Sequence, residues 1–139
     1  GSEIIFASDR DGDFDIYRIS LTDGRAEQLT NFPGDARNPD VSPDGQTIVF
    51  AVHSGRQQGM YTMGPDGSQI RAMIRDGWDY RTPAWSPDGR LIAFSSKRSV
   101  DATYAIYVLD PHNQVFWSVA DTPSDDLRPI WRRRITTGA

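Results

Sequence analysis

The sequence predicts an all-β fold made of three copies of one four-stranded unit. Three observations carry the prediction: a phrase repeated at fixed spacing, strand-length apolar runs between Asp-Gly turns, and no stretch of helical periodicity. The phrase is Ser42-Pro43-Asp44-Gly45 followed by Thr47-Ile48-Val49-Phe50, and then Ser86-Pro87-Asp88-Gly89 followed by Leu91-Ile92-Ala93-Phe94. The chain opens on the same strand, Ile4-Ile5-Phe6, without the phrase before it. Phe6, Phe50 and Phe94 lie 44 residues apart, and Tyr17, Tyr61 and Tyr107 are spaced by 44 and 46. Leu29, Met73 and Val119 each follow their Tyr by 12 residues, and Pro39, Pro83 and Pro129 follow those by 10. A two-residue insertion between Phe94 and Tyr107 accounts for the change of period.

Each element follows from local chemistry. The first strand of the unit, Ile4–Ser8 or Ile48–Val52, is apolar and β-branched, which suits a pleated, buried surface. The second is Asp15–Ile19, Met60–Met63 and Ala105–Leu109; the third is Gln28–Thr30, Ala72–Ile74 and Phe116–Val119. The fourth is Pro39–Ser42, Pro83–Ser86 and Pro129–Trp131. Asp11-Gly12, Asp23-Gly24, Asp44-Gly45, Asp66-Gly67 and Asp88-Gly89 separate the runs, because Gly accepts the positive φ that tight hairpins need. Four antiparallel strands per repeat of about 40–45 residues describe a β-propeller blade.

Composition sets the remaining bounds. With 139 residues and 37% apolar content, the chain can bury the core of one domain. A net charge of −4 argues against nucleic acid as a partner. No apolar run is long enough for a membrane-spanning helix, and the absence of Cys excludes disulfides and thiol chemistry. Residues 3–131 form the three-blade unit, residues 132–139 with Arg132-Arg133-Arg134 read as a solvated tail, and residues 1–2 read as a cloning scar.

Phe6-Ala7-Ser8-Asp9-Arg10-Asp11-Gly12, Asp15-Ile16-Tyr17, Gln28-Leu29-Thr30 and Pro83-Ala84-Trp85-Ser86-Pro87-Asp88-Gly89 resemble the TolB-like β-propeller repeat, one of the WD-like propeller repeats. The resemblance covers nearly the whole chain. It departs at Val41, where the pattern has Trp, and at Arg132-Arg133-Arg134, where a third Ser-Pro-Asp-Gly is due. It implies that the Pro-x-Trp-Ser strand lines the central channel, and it implies a periplasmic or other extracytoplasmic setting. The family spans receptors, scaffolds, sensor domains and peptidase-gating propellers.

On this phase the chain starts on the second strand of a blade and ends on a spare inner strand. Three blades do not close a ring, since propellers have about 4–8. The expectation is a homodimer of two half-propellers, six blades in all, with each Ile130-Trp131 strand completing the other copy's first blade.

Propeller ligands bind on loops at one rim of the channel. The outer-to-inner connections are read as those loops: residues 34–38, 78–82 and 124–128. Asp35, Asp79 and Asp125 each stand four residues before Pro. Their repetition points to a structural role, accepting backbone N–H groups. Arg37, Arg81 and Arg128 are candidates to bind carboxylates in pairs of hydrogen bonds, and Trp78 and Tyr80 are candidate aromatic anchors. Asp9, Asp11, Asp13 and Asp15 alternate through the first hairpin, read as a solvated turn, not a Ca²⁺ loop. No catalytic motif is present, and His53 and His112 each stand alone. The function expected is therefore a non-catalytic binding module for a protein or peptide, not an enzyme, with no cofactor and no metal. The alternatives are half of the gating propeller of a serine peptidase and a purely structural assembly unit.

Overall fold

A computed structural model describes residues 2–100, 102–120 and 122–133. Gly1, expected to belong to a cloning scar, and residues 134–139, expected to belong to a tail, lie outside the described residues. Among the described residues, eleven strands form three antiparallel sheets. The first sheet is β1 (Glu3–Ser8), β2 (Asp15–Ser20) and β3 (Ala26–Gln28). The second is β4 (Asp35–Val41), β5 (Ile48–His53), β6 (Gly59–Met63) and β7 (Arg71–Ile74). The third is β8 (Asp79–Trp85), β9 (Ile92–Lys97), β10 (Ala105–Asp110) and β11 (Val115–Ala120). These are three propeller blades, the first lacking an inner strand.

The core lies between blades, not within them. Along β5, Ile48, Phe50 and Val52 face the first blade and meet Ile16 and Leu29, while Val49 faces the third and meets Ile92 and Phe94. The period of two thus serves two interfaces, and the central blade is apolar on both faces. A stacked pair marks each blade: Phe6 with Tyr17, Phe50 with Tyr61, and Phe94 with Tyr107, at 5.8, 5.9 and 5.6 Å.

The repeated phrase is a self-contained turn. Ser42 Oγ donates to Asp44 Oδ1 at 2.6 Å and accepts Thr47 N–H at 3.0 Å, while Asp44 Oδ1 accepts Gln46 N–H at 3.0 Å. Ser86 and Asp88 repeat it, with Leu91 N–H on Ser86 Oγ at 3.0 Å and Arg90 N–H on Asp88 Oδ1 at 3.1 Å. The Gly after the Asp sits at φ 73° in one copy and 71° in the other, where a Cβ is strained.

Several expected boundaries move. The third strand of the first blade is Ala26–Gln28, not Gln28–Thr30, because Thr30 turns inward to donate to Asp15 Oδ1 at 2.7 Å and accept Ile16 N–H at 2.9 Å. Asp15 is therefore buried and not part of a solvated turn, and Asp11 accepts the Tyr17 hydroxyl at 2.6 Å. The inner strands begin four residues before their Pro, at Asp35 and Asp79. Residues 129–131 form no strand, since no neighbouring strand of the described chain pairs with them.

Candidate functional site

A break in each inner strand builds the site. The β4–β5 ladder shifts register between Arg37 and Asp40, and the β8–β9 ladder between Arg81 and Ala84. The residue before each Pro is left-handed: Asn38 at φ 55°, Thr82 at 48° and Arg128 at 57°. Pro bars the right-handed helical conformation from the residue before it, and the left-handed one is costly for L-residues, most of all for β-branched Thr82. Such bulges re-aim side chains. Here they bring Arg37–Asn38, Arg81–Thr82 and Leu127–Arg128 around one cavity of about 630 Å³, with His53 and Ser95 in its wall.

The acids ahead of the bulges hold the neighbouring groups in place. Asp35 Oδ1 accepts Phe14 N–H at 3.0 Å, and its Oδ2 holds Arg37 at 2.8 Å. The Arg37 guanidinium lies 3.7 Å from the Phe14 ring centre, a cation–π stack. The Phe14 N–H, and then Arg37, keep the Asp35 carboxyl below its ordinary range. Asp125 likewise accepts Tyr104 N–H, at 2.9 Å.

Asp79 departs from this pattern. Gln58 is the middle counterpart of Phe14 and Tyr104, and its N–H is taken instead by Gly55 O at 3.3 Å in a short 3₁₀ turn over Gly55–Gln57. Asp79 Oδ2 is left to hold Arg81 at 2.9 Å and the Tyr104 hydroxyl. Its Oδ1 is buried without a hydrogen-bond donor, although His53 Nδ1 stands 3.2 Å away at ion-pair distance. Burial pushes the Asp79 carboxyl up, but Tyr104 and Arg81 outweigh it and leave it below the ordinary value. Burial, and then the hydrogen bond to Asp79, push the Tyr104 phenol up to about 12. Burial lowers His53 below 6.5 against the pull of Asp79, with Arg81 and Arg37 acting in the same direction as burial.

The anticipated aromatic anchors fall elsewhere. Tyr80 is 1% exposed and belongs to the core, its hydroxyl donating to Asp76 at 2.6 Å and accepting from Arg98 at 2.7 Å. The expectation places it in a loop, but it is the second residue of β8 and points into the interface between blades. Trp78 packs beside the same core and borders a separate groove with Lys97 and Val100. Arg37, Arg81 and Arg128 do share the cavity, along with Asp35. Sequence reasoning missed His53. It ends β5 directly opposite Asp35, a neighbour visible only once the bulged register is known.

Residues 1–100 match the model of the TolB beta propeller domain. The chain belongs to this TolB propeller family. It is 27% identical over 129 residues to the protein TolB homolog of Chlorobium luteolum, and 30% identical over 131 residues to that of Chlorobium chlorochromatii. These matches cover 93% and 94% of the chain but 29% of each relative, so the chain spans less than a third of the TolB homologs it matches. Its fold is similar to that of a putative TolB from Agrobacterium tumefaciens, with a TM-score of 0.81 at 24% identity, covering 94% of this chain and 50% of that one. The propeller domain of the trilobed protease from Pyrococcus furiosus shares the fold at a TM-score of 0.60 and 16% identity, over 86% of this chain and 41% of that one. Within this TolB-type scaffold the cavity presents three guanidinium groups, of which Arg37 is ion-paired with Asp35 and Arg81 with Asp79. That leaves one guanidinium in excess at the cavity of a chain of net charge −4, a setting in which the arginines can still take an incoming carboxylate in paired hydrogen bonds.

Proposed function

We propose that this chain is a non-catalytic interaction module that holds a protein or peptide segment at the mouth of its channel through a carboxylate of that segment. The convergence of Arg37, Arg81 and Arg128 from three successive inner-strand positions on one cavity carries this reading. Asp35 and Asp79 orient Arg37 and Arg81 from behind, so little side-chain freedom is lost on binding. A second copy of the chain completes the propeller in this reading, and the family relationship favours an extracytoplasmic setting. Likeness to a protease propeller supports a second reading, an accessory to a peptidase, but that likeness extends to the fold alone.

Fluorescence anisotropy with a labelled polyglutamate decapeptide and its polyglutamine counterpart tests the proposal. The acidic peptide should bind and the amide peptide should not. A hydrogen bond to a charged group contributes about 1.5–3 kcal/mol, so Arg128→Ala should weaken binding roughly tenfold or more. Equal binding of both peptides, or an Arg37→Ala/Arg81→Ala/Arg128→Ala chain that binds as before, overturns the proposal. Capture of the acidic peptide by this chain alone favours a binding module over a peptidase accessory.

A further inference from the structure

We infer that His53 is a fourth anion-binding group of the cavity, and that it takes up a proton from solvent as a ligand carboxylate enters, so that binding strengthens as the pH falls. The inference rests on the carboxylate reading proposed above, to which it adds a contact residue and a coupling to protons. Asp79 Oδ1 is buried without a hydrogen-bond donor, and His53 Nδ1 stands 3.2 Å from it. A buried acceptor left unsatisfied is costly. The same position of the other repeats has no oxygen to spare in this way, because Asp35 Oδ1 accepts Phe14 N–H and Asp125 Oδ1 accepts Tyr104 N–H. The second oxygen of Asp79 is engaged by Arg81 and by the Tyr104 hydroxyl. Among the described residues, His53 Nδ1 is the basic nitrogen at ion-pair distance from Oδ1.

A neutral imidazole carries one N–H and one lone pair. With the N–H given to Asp79 at Nδ1, Nε2 is an acceptor, and a carboxylate drawn in by the arginines gains nothing from it. The imidazolium has a donor on both nitrogens, so it can serve Asp79 and the ligand together. The ladder position itself suits a cation. His53 stands opposite Asp35, and the residue opposite Asp79 in the next blade, 44 positions later, is Lys97.

The charges around the ring hold it neutral until a ligand arrives. From β4, Asp35 lies across the ladder from His53 and Arg37 shares the cavity. From β8, Asp79 and Arg81 face it, with the Tyr104 hydroxyl held on Asp79. β9 contributes Ser95 to the wall and sets Lys97 opposite Asp79, and Arg128 lines the far side. Each carboxylate is already paired with an arginine, which leaves one guanidinium in excess. Burial, with Arg81 and Arg37, disfavours the imidazolium against the pull of Asp79 and Asp35. An incoming carboxylate cancels the excess charge, and an opposite charge within about 4–6 Å favours the charged form of a titrating group.

Linkage fixes the sign. A proton held more tightly in the bound state makes acid pH favour binding, over the interval between the bound value of His53 and its free value below 6.5. Asp35 and Asp79 lie below 3.8 and glutamate side chains titrate at about 4.3, so these carboxylates stay ionised there. With the polyglutamate decapeptide, Kd should fall roughly fivefold or more between about pH 7.5 and pH 5.5, and the fall should vanish in His53→Gln. Calorimetry near the middle of that range, in two buffers of different ionisation enthalpy, should show net proton uptake on binding by the wild type and none by His53→Gln. The chain has two His, so His112→Gln leaves a single imidazole for NMR and keeps the site intact. Its pKa should lie below 6.5 in the free chain and rise when the peptide is added. Absence of binding at every pH overturns the carboxylate reading and this inference together. Binding with a pH-independent Kd, a pH dependence that His53→Gln retains, or an imidazole whose titration the peptide does not move overturns the coupling and leaves the carboxylate reading standing.

Discussion

His53 is where one residue's environment becomes measurable. It stands between Asp79 and the arginines of the cavity, and burial lowers its pKa below 6.5. The unfolded chain therefore takes up this proton first as the pH falls. The contribution of neutral His53 to stability is complete above 6.5 and is lost as pH drops from there toward the folded value. Asp35 and Asp79, with lowered pKa values, lose their contributions only at more acid pH, below 3.8. The melting temperature of the wild type should fall more steeply than that of His53→Gln between about pH 7 and pH 5. Parallel curves for the two chains would remove His53 from this role. Asp79 explains why the residue is hard to find from sequence. The same Asp recurs in all three repeats, yet only the middle copy is released from its backbone N–H, by a 3₁₀ turn that composition does not announce.

At the scale of strands, the sequence is most legible where an element carries its own chemistry. The Ser-Pro-Asp-Gly turns close on themselves, and the alternating β5 residues divide between two interfaces as their period requires. It is least legible where the reason lies across a ladder. Tyr80 reads as a loop aromatic in the sequence because Pro83 is taken to start its strand, but the strand runs through a bulge and begins at Asp79. Gly59 is a second case. Its counterparts in the other blades are Asp15 and Ala105, so the position itself tolerates a side chain. In the second blade β7 comes close: a Cβ on Gly59 would lie 2.1 Å from Ile74 O and 3.1 Å from Arg75 Cα. Both are backbone atoms, so relief means moving the strand where the β6–β7 register shifts. Gly59→Ala should cost about 2–3 kcal/mol, in the range of overpacked cores. Urea unfolding should show this as a lower midpoint at unchanged slope; a midpoint within error of wild type would mean that β7 yields freely.

For the whole molecule, the three blades share two interfaces, one on each side of the central blade. Among the described residues β1 pairs with β2 alone, and Val115, Trp117 and Val119 of the third blade are each about half exposed. If a second copy covers that strand and those residues, stability depends on concentration, because the native pair is drawn on by mass action and the unfolded chain is not. A hundredfold rise in concentration adds about 2.7 kcal/mol per pair, or half of that per chain. With an unfolding entropy of about 2.1 cal/mol/K per residue, the melting temperature should rise by roughly 5 °C. Calorimetry at two concentrations measures the shift directly. Ile130→Asp should abolish it while leaving the melting temperature at high dilution nearly unchanged, since Ile130 is already exposed within one copy. A concentration-independent melting temperature in the unsubstituted chain would mean that three blades hold together without a partner.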